Sequence, residues 1–160
     1  MSKFTSKKEI SGKSLKMALG GIIDEDADFK DLSVAGFDAI DIDLNDLKSI
    51  NSCGIREWIK WLSGNSSAEI KFNNCPKVIV DQINMVDGFL PKNASVKSFF
   101  VPYFNEELGS EKSVLYREGS EFIGNQINHP PSVKDGEGND MEMDVIESKY
   151  FKFVTSRPAG

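Results

Sequence analysis

Apolar and polar residues alternate in several short segments of the first hundred residues. The alternation predicts strands, and the Ser-Gly-Lys break at 11–13 joins the first two into a hairpin whose second strand ends at Gly20-Gly21. The clearest strand is the third, where three apolar residues alternate with Asp41 and Asp43. The predicted strands are residues 4–10, 15–19, 37–44, 68–72 and 96–101.

A helical spacing of apolar residues separates these strands. Ile55, Trp58, Ile59 and Leu62 fall on one face of a helix at 54–62, whereas Trp61 lies off that face and is either covered by the C-terminal tail or part of a docking patch. Two further helices are expected. An acidic stretch at 24–28 suits a first helical turn, in a helix that carries Phe29 and Leu32 inward. Another begins at Pro76, buries Val78, Ile79, Ile83 and Val86, and ends at Gly88.

The pattern changes beyond Pro102. Residues 113–117 and 149–154 look like isolated strands, and the Gly-, Asn-, Asp- and Pro-rich residues 124–144 predict a mobile loop. Short strands that alternate with helices favour the α/β class, with a mixed β-sheet and helices packed on it. We therefore expect this domain at 1–102 and a small β-rich C-terminal extension at 103–160.

Charge and cysteine content narrow the function classes. A net charge of −6 and a pI near 4.9 argue against nucleic acid or an anionic membrane as the partner. The basic cluster of the N-terminal hairpin is dispersed, which is typical of a solvated edge. Two cysteines, no signal-peptide pattern and no apolar run of membrane-spanning length predict a cytoplasmic protein.

Three segments together resemble the STAS (anti-sigma-factor antagonist) family. Residues 44–59 resemble its signature, in which an acidic turn precedes an Asp-Ser-Ser-Gly or Asp-Ser-Thr-Gly box that opens a helix; here the box is Asn51-Ser52-Cys53-Gly54. Residues 20–24 look like the family's Gly-x-hydrophobic-Asp turn, and residues 74–85 are similar to the segment that opens its next helix. The resemblance covers about residues 10–101 in the expected order.

The resemblance implies a STAS-like fold and a non-catalytic, regulatory protein-interaction module without a cofactor. Its partner would be an anti-sigma-factor or kinase-like protein, or another signalling protein, and its oligomeric state stays open. Ser52 corresponds to the serine that the kinase phosphorylates. The partner-binding residues would be Asp24, Asn51, Ser52, Cys53 and Gly54. Independently of the family, a helix N-terminus favours an anion, and a phosphate adds about −1.5 to −2 charges.

Two departures keep a second hypothesis open. The usual Asp of the box is Asn51 and its second hydroxyl residue is Cys53, for which a small buried side chain is the better interpretation than a reactive thiol. Ser52 is alternatively a plain helix N-cap, worth about 1 kcal/mol. The chain would then be a constitutive structural or scaffold protein of the same fold, without phosphorylation.

The C-terminal extension resembles a zinc ribbon that has lost its cysteines. Residues 105–109 and 132–136 have the placement of two Cys-x-x-Cys-Gly knuckles, but neither contains a cysteine. Without thiolates the tetrahedral zinc site cannot form, so we predict no metal. The extension would then hold together by the packing of its aromatic residues.

A catalytic alternative rests on two aspartates. Asp41-Ile-Asp43 is similar to the Asp-x-Asp motif of aspartyl-phosphate phosphatases, but in a strand both side chains point to one face, which favours a polar sheet surface. His129 is the single histidine, so no histidine-based catalytic group can be assembled. We therefore predict that the chain is not an enzyme.

Overall fold

The computed structural model describes residues 3–157. Ten strands and four helices follow one another along this part of the chain. The strands are β1 (Thr5–Ser11), β2 (Ser14–Ile23), β3 (Ala39–Ile50), β4 (Glu69–Asn73), β5 (Ala94–Val96), β6 (Ser98–Asn105), β7 (Ser110–Arg117), β8 (Phe122–Ile123), β9 (Gln126–Ile127) and β10 (Glu142–Met143). The helices are α1 (Ser52–Leu62), α2 (Lys77–Met85), α3 (Glu147–Tyr150) and α4 (Lys152–Thr155).

The first five strands form one mixed sheet in the order β1-β2-β3-β4-β5. β1 is antiparallel to β2, and every later pair is parallel. Helix α1 connects β3 to β4, and α2 connects β4 to β5, because parallel neighbours need a crossover connection. The chain is therefore of the mixed α/β class, as the pattern of strands and helices predicted.

One face of this sheet carries the larger apolar core. Alternate residues of β2, β3 and β4 are fully buried there: Leu15, Met17, Leu19, Ile40, Ile42, Leu44, Ile70 and Phe72. Trp58 of α1 meets Phe72 edge-on at 5.5 Å and stacks on Phe89 at 4.9 Å between ring centroids. Burial of each such side chain contributes about 1.5–3 kcal/mol, so these contacts fix α1 on the sheet.

The opposite face of the sheet is polar and carries a row of alternating charges. Glu9 lies opposite Lys16, Lys16 opposite Asp41, and Asp41 opposite Lys71 in the strand register. Directly opposed residues of opposite charge attract each other. We call these four residues the charge row. Asp41 and Asp43 thus lie on a polar sheet face, as their alternation indicated.

A second sheet, β10-β6-β7, and the β8-β9 hairpin make up most of the C-terminal part. Phe99 of β6 is its centre, because its ring lies 5.0–6.3 Å from those of Tyr116, Phe122, Tyr150, Phe151 and Phe153. Asn84 of α2 fastens this part to the first sheet unit: its amide donates to the Tyr150 carbonyl, and its oxygen accepts from the Phe153 amide. The second sheet starts at Ser98, within the segment expected to belong to the first domain.

Two strands are longer than predicted. β2 continues beyond Gly20-Gly21 to Ile23 through register shifts at these glycines, and β3 continues beside it to Ile50. The predicted end of the second strand at Gly20-Gly21 and the predicted end of the third strand at residue 44 are therefore wrong, because β3 occupies the residues up to 50 where a turn was expected at 46–51. The glycines are needed for close backbone approach, since a Cβ on Gly21 would lie 1.8 Å from the Lys3 carbonyl oxygen.

The helix predicted at the acidic stretch is absent from the described residues. The Asp24 and Asp28 carboxylates accept from the backbone amides of Asp26 and Lys30, and such local bonds favour turns over a helix. The inward side chains were predicted correctly: Leu32 is buried, and Phe29 stacks on Trp61 at 4.6 Å. Residues 24–34, and not the C-terminal tail, thus pack against Trp61, whose Nε1 donates to the Leu32 carbonyl at 2.6 Å.

The strand predicted at 149–154 is also wrong, because α3 and α4 occupy these residues. The alternation of aromatic side chains is typical of a strand, but Tyr150, Phe151 and Val154 are the buried residues, at helical spacing.

In the segment 124–144, Val133 and Met141 are buried and joined by a backbone hydrogen bond of 2.8 Å. No helix within residues 3–157 has the length and hydrophobicity to cross a membrane.

Candidate functional site

The candidate site lies where the C-terminal end of β2 meets the N-terminus of α1. The backbone amide of Asn51 donates to the Ile23 carbonyl at 3.1 Å, so this hydrogen bond joins the start of α1 to the end of β2. Asp24 follows β2 directly, and the box 51–54 opens the helix. The structure therefore brings all five predicted binding residues, Asp24, Asn51, Ser52, Cys53 and Gly54, to one end of the sheet.

Asn51 is the N-cap of α1. Its Oδ1 accepts from the Gly54 amide at 2.8 Å, which satisfies one of the free amides of the first turn. The interpretation of Ser52 as the N-cap is therefore wrong, because the preceding residue holds that position. Asn51 also donates from Nδ2 to the Glu25 carboxylate at 2.9 Å. An ionised aspartate accepts hydrogen bonds only, so the box residue can make this second bond because it is an amide.

Ser52 is the first residue of α1 and is exposed. Within residues 3–157 its hydroxyl makes no side-chain hydrogen bond. Cys53 beside it is also exposed, contrary to the buried side chain expected from the sequence. The exposure follows from the geometry of α1, whose buried side is set by Gly54, Trp58 and Leu62.

Gly54 is the buried member of the box. A Cβ at this position would lie 2.2 Å from the Ile23 carbonyl oxygen and 2.9 Å from the Ile23 side chain. No side chain fits at these distances, so a glycine is required for α1 to start against β2. The close approach holds the exposed pair Ser52–Cys53 at a fixed place relative to Asp24.

Glu25 belongs to the site although the sequence did not single it out. The Asn51 amide, followed by a backbone hydrogen bond, lowers the pKa of the Glu25 carboxyl below its usual value. This carboxylate is held next to the first turn of α1, at the positive end of the helix dipole. Only its place in the acidic stretch beside Asp24 could have signalled it, and nothing there distinguishes Glu25 from its neighbours.

A groove of about 590 Å³ adjoins the site. Its apolar wall comes from Phe4, Ile22 and Ala27, and three aspartates stand at its rim. The residues that line it are Lys3, Phe4, Ser6, Ile22, Asp24, Asp26, Ala27 and Asp28. Asp24 therefore faces both this groove and the turn that leads to Glu25.

Asp43, one of the two aspartates of the phosphatase hypothesis, is held by hydrogen bonds. Its Oδ1 accepts from the Asn74 amide group at 3.1 Å and from the Asn45 backbone amide at 3.0 Å. Burial, and then the charge of Asp43, raise the pKa of the nearby Cys75 thiol. Cys75 is buried, and its thiol stays protonated.

The two segments of the predicted ribbon meet at one end of the second sheet. Ser110, next to the first segment, donates to the Asp135 carboxylate at 3.1 Å, and Asn105 donates to the Asp140 carbonyl at 2.9 Å. Asp135 also accepts from the backbone amides of Asn139 and Glu137, which together with Ser110 lower the pKa of its carboxyl. Hydrogen bonds therefore join the two turns.

His129 takes part in a chain of hydrogen bonds inside the extension. The Tyr116 hydroxyl lies 2.8 Å from His129 Nδ1 and 2.6 Å from the Tyr103 hydroxyl. His129 Nε2 lies 3.7 Å from the Glu147 carboxylate. This chain is on the second sheet, away from the box, so the structure does not bring His129 to the candidate site.

A scan of protein-family models, a search of curated proteins and a search of solved structures each found no match to this chain.

Proposed function

We propose that the chain is a non-catalytic protein-interaction module, STAS-like in fold, that docks a signalling partner at the β2–α1 end of its first sheet. Ser52 is its phosphorylation switch. The observation that carries the proposal is that Asn51, and not Ser52, caps α1. The exposed Ser52 hydroxyl is therefore not used for capping. An exposed hydroxyl in a helical first turn is accessible to a kinase, and the dipole favours its phosphate.

Glu25 explains how such a phosphate would act. The Glu25 carboxylate is bound to Asn51, the residue before Ser52, so a phosphate at Ser52 places like charges close together. Both anions compete for the same helix end. The phosphate, with about −1.5 to −2 charges, displaces Glu25 and loosens residues 24–28, four of which line the groove. Phosphorylation thus changes the shape of the docking surface.

The first experiment measures the modification itself. Peptide mass spectrometry of the protein from growing and starved cells should find a phosphate at Ser52 whose occupancy varies with conditions. The same peptide from a Ser52→Ala strain controls for phosphorylation of neighbouring residues. If Ser52 stays unmodified in every condition, the phosphorylation switch is contradicted. The docking module would then remain as the proposal.

A second experiment tests the coupling to Glu25. Ser52→Asp should shift the backbone amide resonances of residues 24–31 in the direction that Glu25→Ala shifts them, because both changes break the Glu25–Asn51 contact. Ser52→Asn is the matched neutral control and should leave these resonances in place. Equal spectra for Ser52→Asp and Ser52→Asn would show that charge at Ser52 does not reach the acidic segment.

The second candidate is a constitutive scaffold of the same fold, and one observation favours it. Glu25 already places a negative charge at the start of α1, where a phosphate would otherwise be most stabilising. In that case Ser52→Asp and wild type bind the partner equally. Hydrolysis by Asp41 and Asp43 remains a third hypothesis, which magnesium-dependent turnover of a generic phosphoester, lost in Asp41→Asn, would support.

A further inference from the structure

Strand β1 forms an open edge of the first sheet. It pairs with β2 alone, and all seven of its residues are exposed. Within residues 3–157, no backbone hydrogen bond outside the β1–β2 ladder involves residues 5–11. The amide and carbonyl groups on the outer side of β1 are therefore free to pair with another strand.

The open edge is basic in an acidic protein. The hairpin that contains β1 carries five lysines, Lys3, Lys7, Lys8, Lys13 and Lys16, against one glutamate, Glu9, although the net charge of the chain is −6. A shallow groove of about 410 Å³ runs beside the strand and is lined by Lys7, Lys8, Glu9, Lys16, Met17 and Ala18. Lys7 and Lys8 lie next to each other on β1, so their charges project on both faces of the sheet.

The charges select the occupant of this edge. Paired in register, a second copy of β1 would bring its own Lys7 and Lys8 against these lysines, and like charges in facing positions are destabilising. In a shifted antiparallel register the single Glu9 of the copy can face only one of the two lysines. An acidic strand meets opposite charges on both faces instead. Ile10, which is 55% exposed beside the buried Leu15, offers an apolar contact to the same strand.

We propose that β1 binds an extended acidic segment of a partner protein, which adds to the first sheet as a sixth strand. Main-chain hydrogen bonds to the outer side of β1 supply the pairing, and carboxylates opposite Lys7 and Lys8 supply the selectivity. A basic residue opposite Glu9 would extend the charge row by one strand. This surface is distinct from Ser52 and does not depend on the switch.

The probe is a labelled seven-residue peptide, Thr-Val-Lys-Glu-Glu-Thr-Val, whose charges complement β1 in antiparallel pairing. Its matched control, Thr-Val-Glu-Lys-Lys-Thr-Val, has the charges exchanged. By fluorescence anisotropy at low salt, the first peptide should bind with a Kd below about 1 mM and the second at least tenfold more weakly. Backbone amide shifts should be confined to β1 and β2, and N-methylation of alternate residues in the peptide should abolish binding.

Exchange of the protein's charges makes the test reciprocal. Lys7→Glu with Lys8→Glu should reverse the preference, so that the second peptide binds more tightly than the first. Lys7→Glu alone should give an intermediate preference. It keeps the hydrogen bond from Lys8 to the Asp31 carbonyl, so it controls for any folding defect that loss of this bond causes in the double variant. Lys149→Glu with Lys152→Glu, on the distant α3 and α4, changes the net charge equally and should leave the preference unchanged.

Three results would overturn the proposal. One is the absence of binding by the first peptide up to 1 mM. Another is binding that survives N-methylation or ignores the charge exchange, because strand pairing is then not the mode. The third is self-association through β1 in sedimentation experiments, because a second copy is then the occupant.

Discussion

The two sheets of this protein differ in the side chains that form their cores. The first sheet buries regularly alternating aliphatic residues of β2, β3 and β4 beneath α1 and α2. The second gathers short elements around Phe99 and links buried hydroxyls in the chain Tyr103–Tyr116–His129. A periodic core can be read from a strand on its own, whereas an aromatic cluster exists only after distant segments have met.

The largest expected effect tests whether the two sheets unfold together. Phe99→Ala removes the ring that five aromatic neighbours contact and should cost about 4 kcal/mol in the free energy of unfolding. Phe72→Ala makes the matched cavity in the first sheet. Because Asn84 ties α2 to α3 and α4, we expect each variant to lower one common urea transition.

Two separate transitions would contradict this expectation. Hydrogen exchange would then show that Phe99→Ala exposes the amides of β6 and β7 and leaves those of β3 protected. The comparison between the sheets would become one between two folding units.

The next effect concerns the contact that positions the candidate site. Gly54→Ala puts a methyl group against the Ile23 carbonyl, so α1 must shift, at a cost of about 3 kcal/mol in unfolding free energy. Gly136→Ala, in the extension, is the matched control, since a Cβ there meets no atom within 4 Å. Thermal unfolding of both variants measures the difference, and equal melting temperatures would show that α1 yields freely.

A smaller effect depends on pH. Burial raises the pKa of Tyr150 and Tyr116 in the extension, so both stay neutral in the fold while the unfolded chain ionises near pH 10. Their contribution to stability is fully present below that pH and declines as the pH rises, by at most about 1.4 kcal/mol per pH unit for each tyrosine. Tyr150→Phe should therefore make the alkaline decline in melting temperature shallower.

A second marker is Cys75, which lies just after β4 and forms a backbone bridge to Phe99 of β6. Burial raises the pKa of this thiol, so its stability contribution is present below the unfolded value of about 8.5 and declines above it. Cys75→Ala should move the start of the alkaline decline from about pH 8.5 toward pH 10. An unchanged profile in both variants would show that other groups control alkaline unfolding.

The smallest effect belongs to the open face of the first sheet. Asp41→Asn removes one member of the charge row and should change the unfolding free energy by less than about 0.5 kcal/mol, because charges at a sheet surface that face each other across strands contribute little. Added salt should reduce the difference further. A loss above 1 kcal/mol, measured by urea unfolding, would show that the row stabilises the sheet as a network.

The sequence predicted the first sheet well because burial imposes a period on its strands. The hairpin, α1 and β4 lie where the pattern placed them, and the box 51–54 opens a helix as expected. The errors arise where short-range hydrogen bonds or contacts between distant residues outweigh the periodic pattern. Local hydrogen bonds of Asp24 and Asp28 replaced a helix, and a helical turn buried Tyr150 and Phe151 in what looked like a strand.

The candidate site could be located but not completed from the sequence. The positions of Asn51, Ser52 and Gly54 relative to a helix start follow from spacing, so they were predictable. The bond from Asn51 to Glu25 joins residues 26 positions apart, and no local pattern encodes it. This bond also explains the asparagine at position 51, where the box of the resembled family has an aspartate. The side-chain amide donates to Glu25, which an aspartate could not do.

The charge row has a consequence for how the strands find their register. Burial of alternate residues penalises a slip by one residue, because every side chain would change face, but a slip by two keeps each face intact. In the hairpin, one such slip would place Lys7 opposite Lys16; between β3 and β4, one would place Asp41 opposite Glu69. Repulsion at these positions disfavours misaligned sheets that hydrophobic burial alone would accept.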